Sequence, residues 1–115
     1  HVYNKDDDYT EIMLPVVMRV VSDPENCKAI LFGKSGNGEA MLSNRFPGVR
    51  AAVYHGKNLE ILRLSREHNN ANILSIGAGF VEENEAKEAV RLWLSTPFSN
   101  ESRHVRRNEM LDNVG

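Results

Sequence analysis

The sequence has little that would tie it to a metal, a membrane or a nucleic acid. One cysteine, Cys27, in 115 residues excludes an internal disulfide and fits a reducing, cytoplasmic setting. The four histidines are scattered, and no Cys/His group has metal-ligand spacing. No apolar run approaches the ~20 residues needed to cross a bilayer. Fourteen basic and 16 acidic residues leave a net charge of −2, with no electrostatic footprint for nucleic acid or an anionic membrane. The 41% hydrophobic and 26% charged residues are ordinary for one globular domain, 1–115.

What stands out is the stretch from Ala29 to Asn44. Ala29-Ile-Leu-Phe32 is short and apolar enough for a buried strand, Gly33, Gly36 and Gly38 follow, and a helix is expected from about Asn37. A strand, a glycine-rich turn and a helix start make a cradle for an anion, because glycines let the backbone come close and unpaired N–H groups point outward. Glu39 falls in the first turn, where a carboxylate beside N–H donors is suited to abstract a proton and hold the resulting oxyanion. The plain alternative is a tight strand–helix turn with Glu39 as a favourable first-turn acid. Gly33-Lys34-Ser35 imitates part of a Walker A loop, but that motif needs a glycine five positions earlier, where Lys28 stands.

The rest of the chain alternates. After the acidic Asp6-Asp7-Asp8, with Asp8 as the expected cap, Ile12, Val16 and Val20 mark an amphipathic helix to about Val21. Pro15 is expected to kink that helix or mark an irregular first turn. Ser22 to Asn26 reads as a turn, Phe46 to Val49 as a helix break, and Arg50 to Tyr54 as a second strand. His55 to Asn58 is a loop, and Leu59, Leu62 and Leu64 begin a helix that ends near Glu67-His68-Asn69. Asn72 to Gly77 is a third strand, and Glu82 to Leu94 a helix with Ala86, Ala89, Val90, Trp93 and Leu94 at helical spacing. Thr96-Pro97 stops it, and Ser102 to Leu111 is an arginine-rich helix. Strands alternating with helices predict an α/β fold with a parallel sheet. A start on a loop and only three strands are unusual for that architecture.

Taken together, Gly33 to Asn44, Pro47 to Ala52, Arg66 to Asn72 and Arg103 to Arg107 occur in the order that resembles the ribose-5-phosphate isomerase B family. That family also includes allose-6-phosphate and galactose-6-phosphate isomerases. The resemblance runs from about Asp6 to Leu111, and Ser35-Gly-Asn-Gly-Glu39 is similar to the branch that uses a glutamate base. The other branch has a cysteine at the position of Gly33. The resemblance implies a Rossmann-like three-layer α/β/α sandwich, a homodimer with its site shared across the interface, and no metal or organic cofactor. It places the family's first two strands and first helix, with an Asp-His pair, before Asp6, so the chain is expected to be an N-terminally truncated member. The strand Ala29 to Phe32 would then carry an unpaired apolar edge.

The activity the resemblance implies is aldose–ketose isomerisation of a phosphosugar, ribose 5-phosphate to ribulose 5-phosphate, through a cis-enediolate. Glu39 would move the proton, Ser35 with Gly36, Asn37 and Gly38 would hold the enediolate oxygens, and His68 would open the sugar ring. Asn69, Arg103, His104 and Arg107 would bind substrate, the arginines reaching its phosphate across the dimer. From the residues alone, His68 reads rather as a capping histidine and the arginines as a solvated face. Two positions depart from the family pattern: Gly79 stands where an arginine is usual, and Lys34 replaces a small residue. The alternatives are a six-carbon sugar-phosphate isomerase and a non-catalytic sugar-phosphate-binding or dimerisation module.

Overall fold

A computed structural model describes residues 8–114, so Asp6 and Asp7 of the acidic triplet lie outside the described residues. Five helices and three strands follow in the order α1 (Tyr9–Ser22), β1 (Ala29–Gly33), α2 (Asn37–Ser43), β2 (Ala51–Tyr54), α3 (Glu60–Glu67), β3 (Ile73–Gly77), α4 (Glu83–Ser95), α5 (Ser102–Asp112). The expected elements are all present, their ends shifted by about one residue, the usual uncertainty of helix and strand termini.

The strands form one parallel sheet in the order β1-β3-β2, with Ile30 beside Leu74 and Ala52 beside Leu74 in register. Alternation along each strand divides the core into two layers. Ile73 and Leu31 face Val17 and Val20 of α1, with Leu42 of α2 packed against them. Leu74 and Ile76 face Leu62 of α3 and Ala89 and Trp93 of α4. Helices therefore cover both faces, and β3, buried along its whole length, is the spine. β1 lies at an edge, and Phe32 is 51% exposed.

Local readings on α1 and α4 gain detail or change. The core face of α1 is Met13, Val17 and Val20; Val16 is exposed. An exact four-residue spacing drifts around the helix, whereas steps of four and then three stay on one face. Helix α1 runs on through Pro15, which is exposed, so the Glu11 carbonyl that loses its N–H partner can be hydrated. Asp8 is the N-cap by position, but its side chain makes no capping bond; its carbonyl accepts from Glu11 N and Ile12 N. On α4, Leu94 is exposed while Ala89 and Trp93 are buried.

A buried arginine ties the second layer to the amino end of β3. Arg66 donates from Nε to the Thr96 carbonyl (3.0 Å) and from Nη1 to the Ala71 carbonyl (2.6 Å) and Asn70 Oδ1 (3.0 Å). Its guanidinium carbon lies 5.7 Å from the centre of the Trp93 ring. Arg66→Met should leave these acceptors unpaired and lower stability by about 1–3 kcal/mol. Arg66→Lys, which lacks the forked donors, should recover only part of the loss. Urea unfolding measures both; an unchanged midpoint in Arg66→Met would show that the cluster contributes nothing.

Candidate active site

The carboxyl ends of β1 and β3 form a crevice because their loops leave towards opposite faces, β1 into α2 and β3 into α4. The two loops are bound to each other: Ala78 N donates to Gly33 O (2.7 Å) and Gly79 N to Lys34 O (2.9 Å). A β carbon at Gly77 would lie 2.5 Å from the Ser35 carbonyl oxygen, so only glycine allows this approach. Gly36 sits at φ +81°, and Ser75 Oγ of β3 donates to its carbonyl at 2.7 Å. Ser75 is a hydroxyl on an otherwise apolar buried strand, the one sequence signal for this contact.

This pinned turn starts α2 at Asn37 and puts Glu39 against Gly33. A β carbon on Gly33 would fall 2.3 Å from the Glu39 Oε1. Glu39 is only 8% exposed, yet it lines an open cavity of about 690 Å³ with Ser35, Gly38 and Lys34. Ser35 Oγ accepts from Asn37 N (3.2 Å), leaving the serine's own proton for an acceptor in the cavity. Tyr9 forms part of the wall, its ring filling the space where a Gly38 side chain would stand, 2.6 Å from that β-carbon position. Nothing in the pattern around the acidic triplet marked Tyr9 for the site.

The other candidate residues gather elsewhere. His68 caps the C-terminus of α3, and its ring lies on that of His104 with centres 4.2 Å apart. Asn108 Nδ2 donates to the His68 carbonyl (3.0 Å), which joins α5 to this corner. Asn69, Arg103 and Arg107 are exposed around it, and Arg103 is paired with Glu101 at 3.2 Å. His55 is exposed at the opposite end, on the loop after β2. In a parallel sheet, loops after strands lie at the carboxyl end and loops after helices at the amino end. Ser35 and Glu39 belong to the first kind, His68 and Asn69 to the second. The length of β3, about 16 Å for five residues at ~3.3 Å each, separates them. One chain therefore brings Ser35, Gly36, Asn37, Gly38 and Glu39 together, and His68, Asn69, Arg103, His104 and Arg107 apart from them.

Within that second group His104 is buried on α5. Its Nδ1 lies 3.0 Å from Ser99 Oγ, and Arg103 Nε donates to its Nε2 at 3.4 Å. A donor aimed at Nε2 requires the neutral ring with its proton on Nδ1. Burial first, then the nearby His68, Arg103 and Arg107, hold its pKa below the usual histidine value, against the opposing pull of Glu101. The unfolded chain then binds a proton at higher pH than the folded one. The stabilising effect of a neutral His104 is thus complete above a pH of about 6.5 and is lost as pH falls towards the folded pKa. An NMR titration should give a His104 midpoint below that of a free imidazole. His104→Gln should flatten the acid side of the stability profile; a midpoint at or above the ordinary value would contradict this.

Among the described residues no group of His, Cys, Asp or Glu is arranged to hold a metal, and no helix is long and apolar enough to cross a membrane. A family model described as Ribose/Galactose Isomerase matches residues 1–111. Ribose-5-phosphate isomerase B of Mycolicibacterium paratuberculosis is 38% identical over 109 residues, covering 95% of this chain and 67% of the relative. The structure of ribose-5-phosphate isomerase B from Mycoplasma genitalium with bound ribulose 5-phosphate superposes with a TM-score of 0.90 at 28% identity, covering 97% of this chain and 72% of that one. Type B ribose 5-phosphate isomerase from Trypanosoma cruzi gives 0.84 at 36% identity, covering 92% and 69%. The chain spans about two thirds of the length of the curated relatives it matches. Parallel three-stranded sheet, helices on both faces and matched residues agree: the chain belongs to the ribose/galactose isomerase family.

Proposed function

We propose that this chain supplies the base-bearing half of an aldose–ketose isomerase site for a phosphosugar, and that two copies complete it. The observation that carries the reading is Glu39, held against Gly33 beside the free end of α2 in an open cavity. A carboxylate there reaches a substrate carbon, while the hydroxyl of Ser35 and the N–H groups at Gly36–Gly38 reach the adjoining oxygens. The substrate that the relatives' names favour is ribose 5-phosphate, with ribulose 5-phosphate as product.

In the forward direction Glu39 removes the proton from C2 of the open-chain aldose. The electron pair forms the C1–C2 double bond as the C1 carbonyl becomes an oxyanion, and the N–H donors stabilise the resulting cis-enediolate. The O2 hydroxyl proton passes to O1, a transfer the Ser35 hydroxyl is placed to relay, and Glu39 returns the carbon proton to C1 as the C2 carbonyl of the ketose forms. Ring opening falls to His68, and the phosphate to Arg103 and Arg107, with Asn69 beside them; His104, expected among the binding residues, is buried with both ring nitrogens engaged and instead holds Arg103 and His68 in place. Both arginines are exposed on the outer face of α5, so a ligand they bind has to approach from outside the chain's own core. Since the two groups lie at opposite ends of one sheet, a two-fold dimer that sets one chain's carboxyl end against its partner's amino end would unite them.

Glu39→Gln should leave phosphosugar binding nearly intact and cut kcat by roughly 10²–10⁴-fold, the contribution of a positioned acid–base group. Near-normal kcat would remove Glu39 from the mechanism. Arg103→Ala and Arg107→Ala should raise KM with the thermal midpoint almost unchanged, whereas a stability loss in both would make them structural. Mixing Glu39→Gln chains with Arg103→Ala/Arg107→Ala chains tests the sharing directly. Random pairing makes half the dimers mixed, each with one intact site, so about a quarter of wild-type activity at low substrate should return. No recovery after subunit exchange would place the whole site within one chain.

A further inference from the structure

Lys34 and Gly79 face each other across the crevice between β1 and β3. A β carbon on Gly79 would lie 2.9 Å from Lys34 Cγ and 3.0 Å from the Lys34 carbonyl oxygen. The lysine stem therefore occupies the space that a side chain at position 79 would need. The backbone holds it there, since Gly79 N donates to Lys34 O at 2.9 Å. Both residues line the Glu39 cavity, and Lys34 is the one cationic side chain among its described lining residues.

The cavity wall thus carries both a carboxylate and a cation. Glu39 lies over Gly33, at the end of β1. Lys34 follows the same strand, and its stem packs over Gly79 in the loop after β3. A phosphosugar brings a dianion into a cavity that already holds a carboxylate, so a cationic side chain in the same wall offsets that repulsion and favours one orientation of the sugar against the base. We propose that Lys34 is a substrate-binding residue that takes the phosphate of the sugar, and that Gly79 is the space its stem requires. The proposal rests on the isomerase reading and adds to it a phosphate contact from the same chain as the base.

A compact ammonium at an exposed site acts as a point charge, so its effect should appear in KM, weaken with added salt and survive exchange for another cation. The test is steady-state kinetics with ribose 5-phosphate, together with calorimetric binding of ribose 5-phosphate and of inorganic phosphate, on the full chain. Lys34→Ala should raise KM and both dissociation constants about tenfold, a typical loss for one charge-assisted contact, with kcat within about twofold. Lys34→Arg should recover most of the affinity. Gly79→Ala should raise KM in the wild-type background and much less in Lys34→Ala, where the Cγ it displaces is gone; the carbonyl contact is common to both. Unchanged binding in Lys34→Ala overturns the proposal, and so does a loss confined to kcat, which would put Lys34 on the reacting oxygens. If Lys34→Ala weakens binding but Gly79→Ala is equally harmful in both backgrounds, the spatial part fails. A wild-type chain that neither binds nor turns over ribose 5-phosphate refutes the isomerase reading itself, and this assignment with it; a wild type that does both, with an unaffected Lys34→Ala, refutes this assignment alone.

Discussion

The structure depends on the close approach of two loops at the carboxyl end of the sheet. Gly77 has no room for a β carbon against the Ser35 carbonyl, and the backbone bonds Ala78 to Gly33 and Gly79 to Lys34 lock the contact. Ser75 fixes the turn from below through Gly36, whose left-handed backbone starts α2 in the direction it takes. Any side chain at position 77 would push the turn away from β3. Ser35, the N–H donors and Glu39 are carried on that turn, so their spacing follows from a backbone contact that involves none of their side chains.

The same packing accounts for the alternative bases that the family resemblance implies. The Glu39 carboxylate fills the volume directly over Gly33, and a side chain there would overlap it. A glutamate at 39 and a cysteine at 33 compete for one space beside one set of N–H donors. On the proposed reading, a base placed from either residue would arrive at the same point, so the two would exclude each other in one chain. Gly33 is therefore part of the glutamate solution rather than a mere turn residue.

Parallel α/β architecture also limits what one chain can assemble. The His68–His104 pair and the exposed arginines are built on the loop after α3 and on α5, at the amino end of the sheet. The Asp112 carboxylate anchors α5 there, receiving Arg50 Nη1 at 3.0 Å and Gly48 N at 3.3 Å. These contacts are interior to the protomer, so moving α5 towards Glu39 would break them. In the proposed dimer a second copy would bring the groups together without disturbing either fold.

Much of this was legible in the sequence. Short runs rich in apolar residues marked the three strands, and the central one, β3, is buried on both faces, where little alternation is expected. The glycine spacing from Gly33 to Gly38 marked the anion loop, and Glu39 stood in it. Order and spacing of blocks carried the family. Other features lay beyond a linear reading. Val16 and Val17 are equally apolar, and only the approach of the sheet decided that Val17 is inside. Tyr9 and Ser75 lie 30 and 36 residues from Glu39 in sequence (39−9 and 75−39), a proximity no local pattern records. Local chemistry determined the elements and the residues able to do the work, since propensity, turn geometry and acid–base character belong to each residue. The tertiary structure decided which of them meet, since strand order and sheet direction, set by packing over the whole chain, put Glu39 at one end of β3 and His68 at the other.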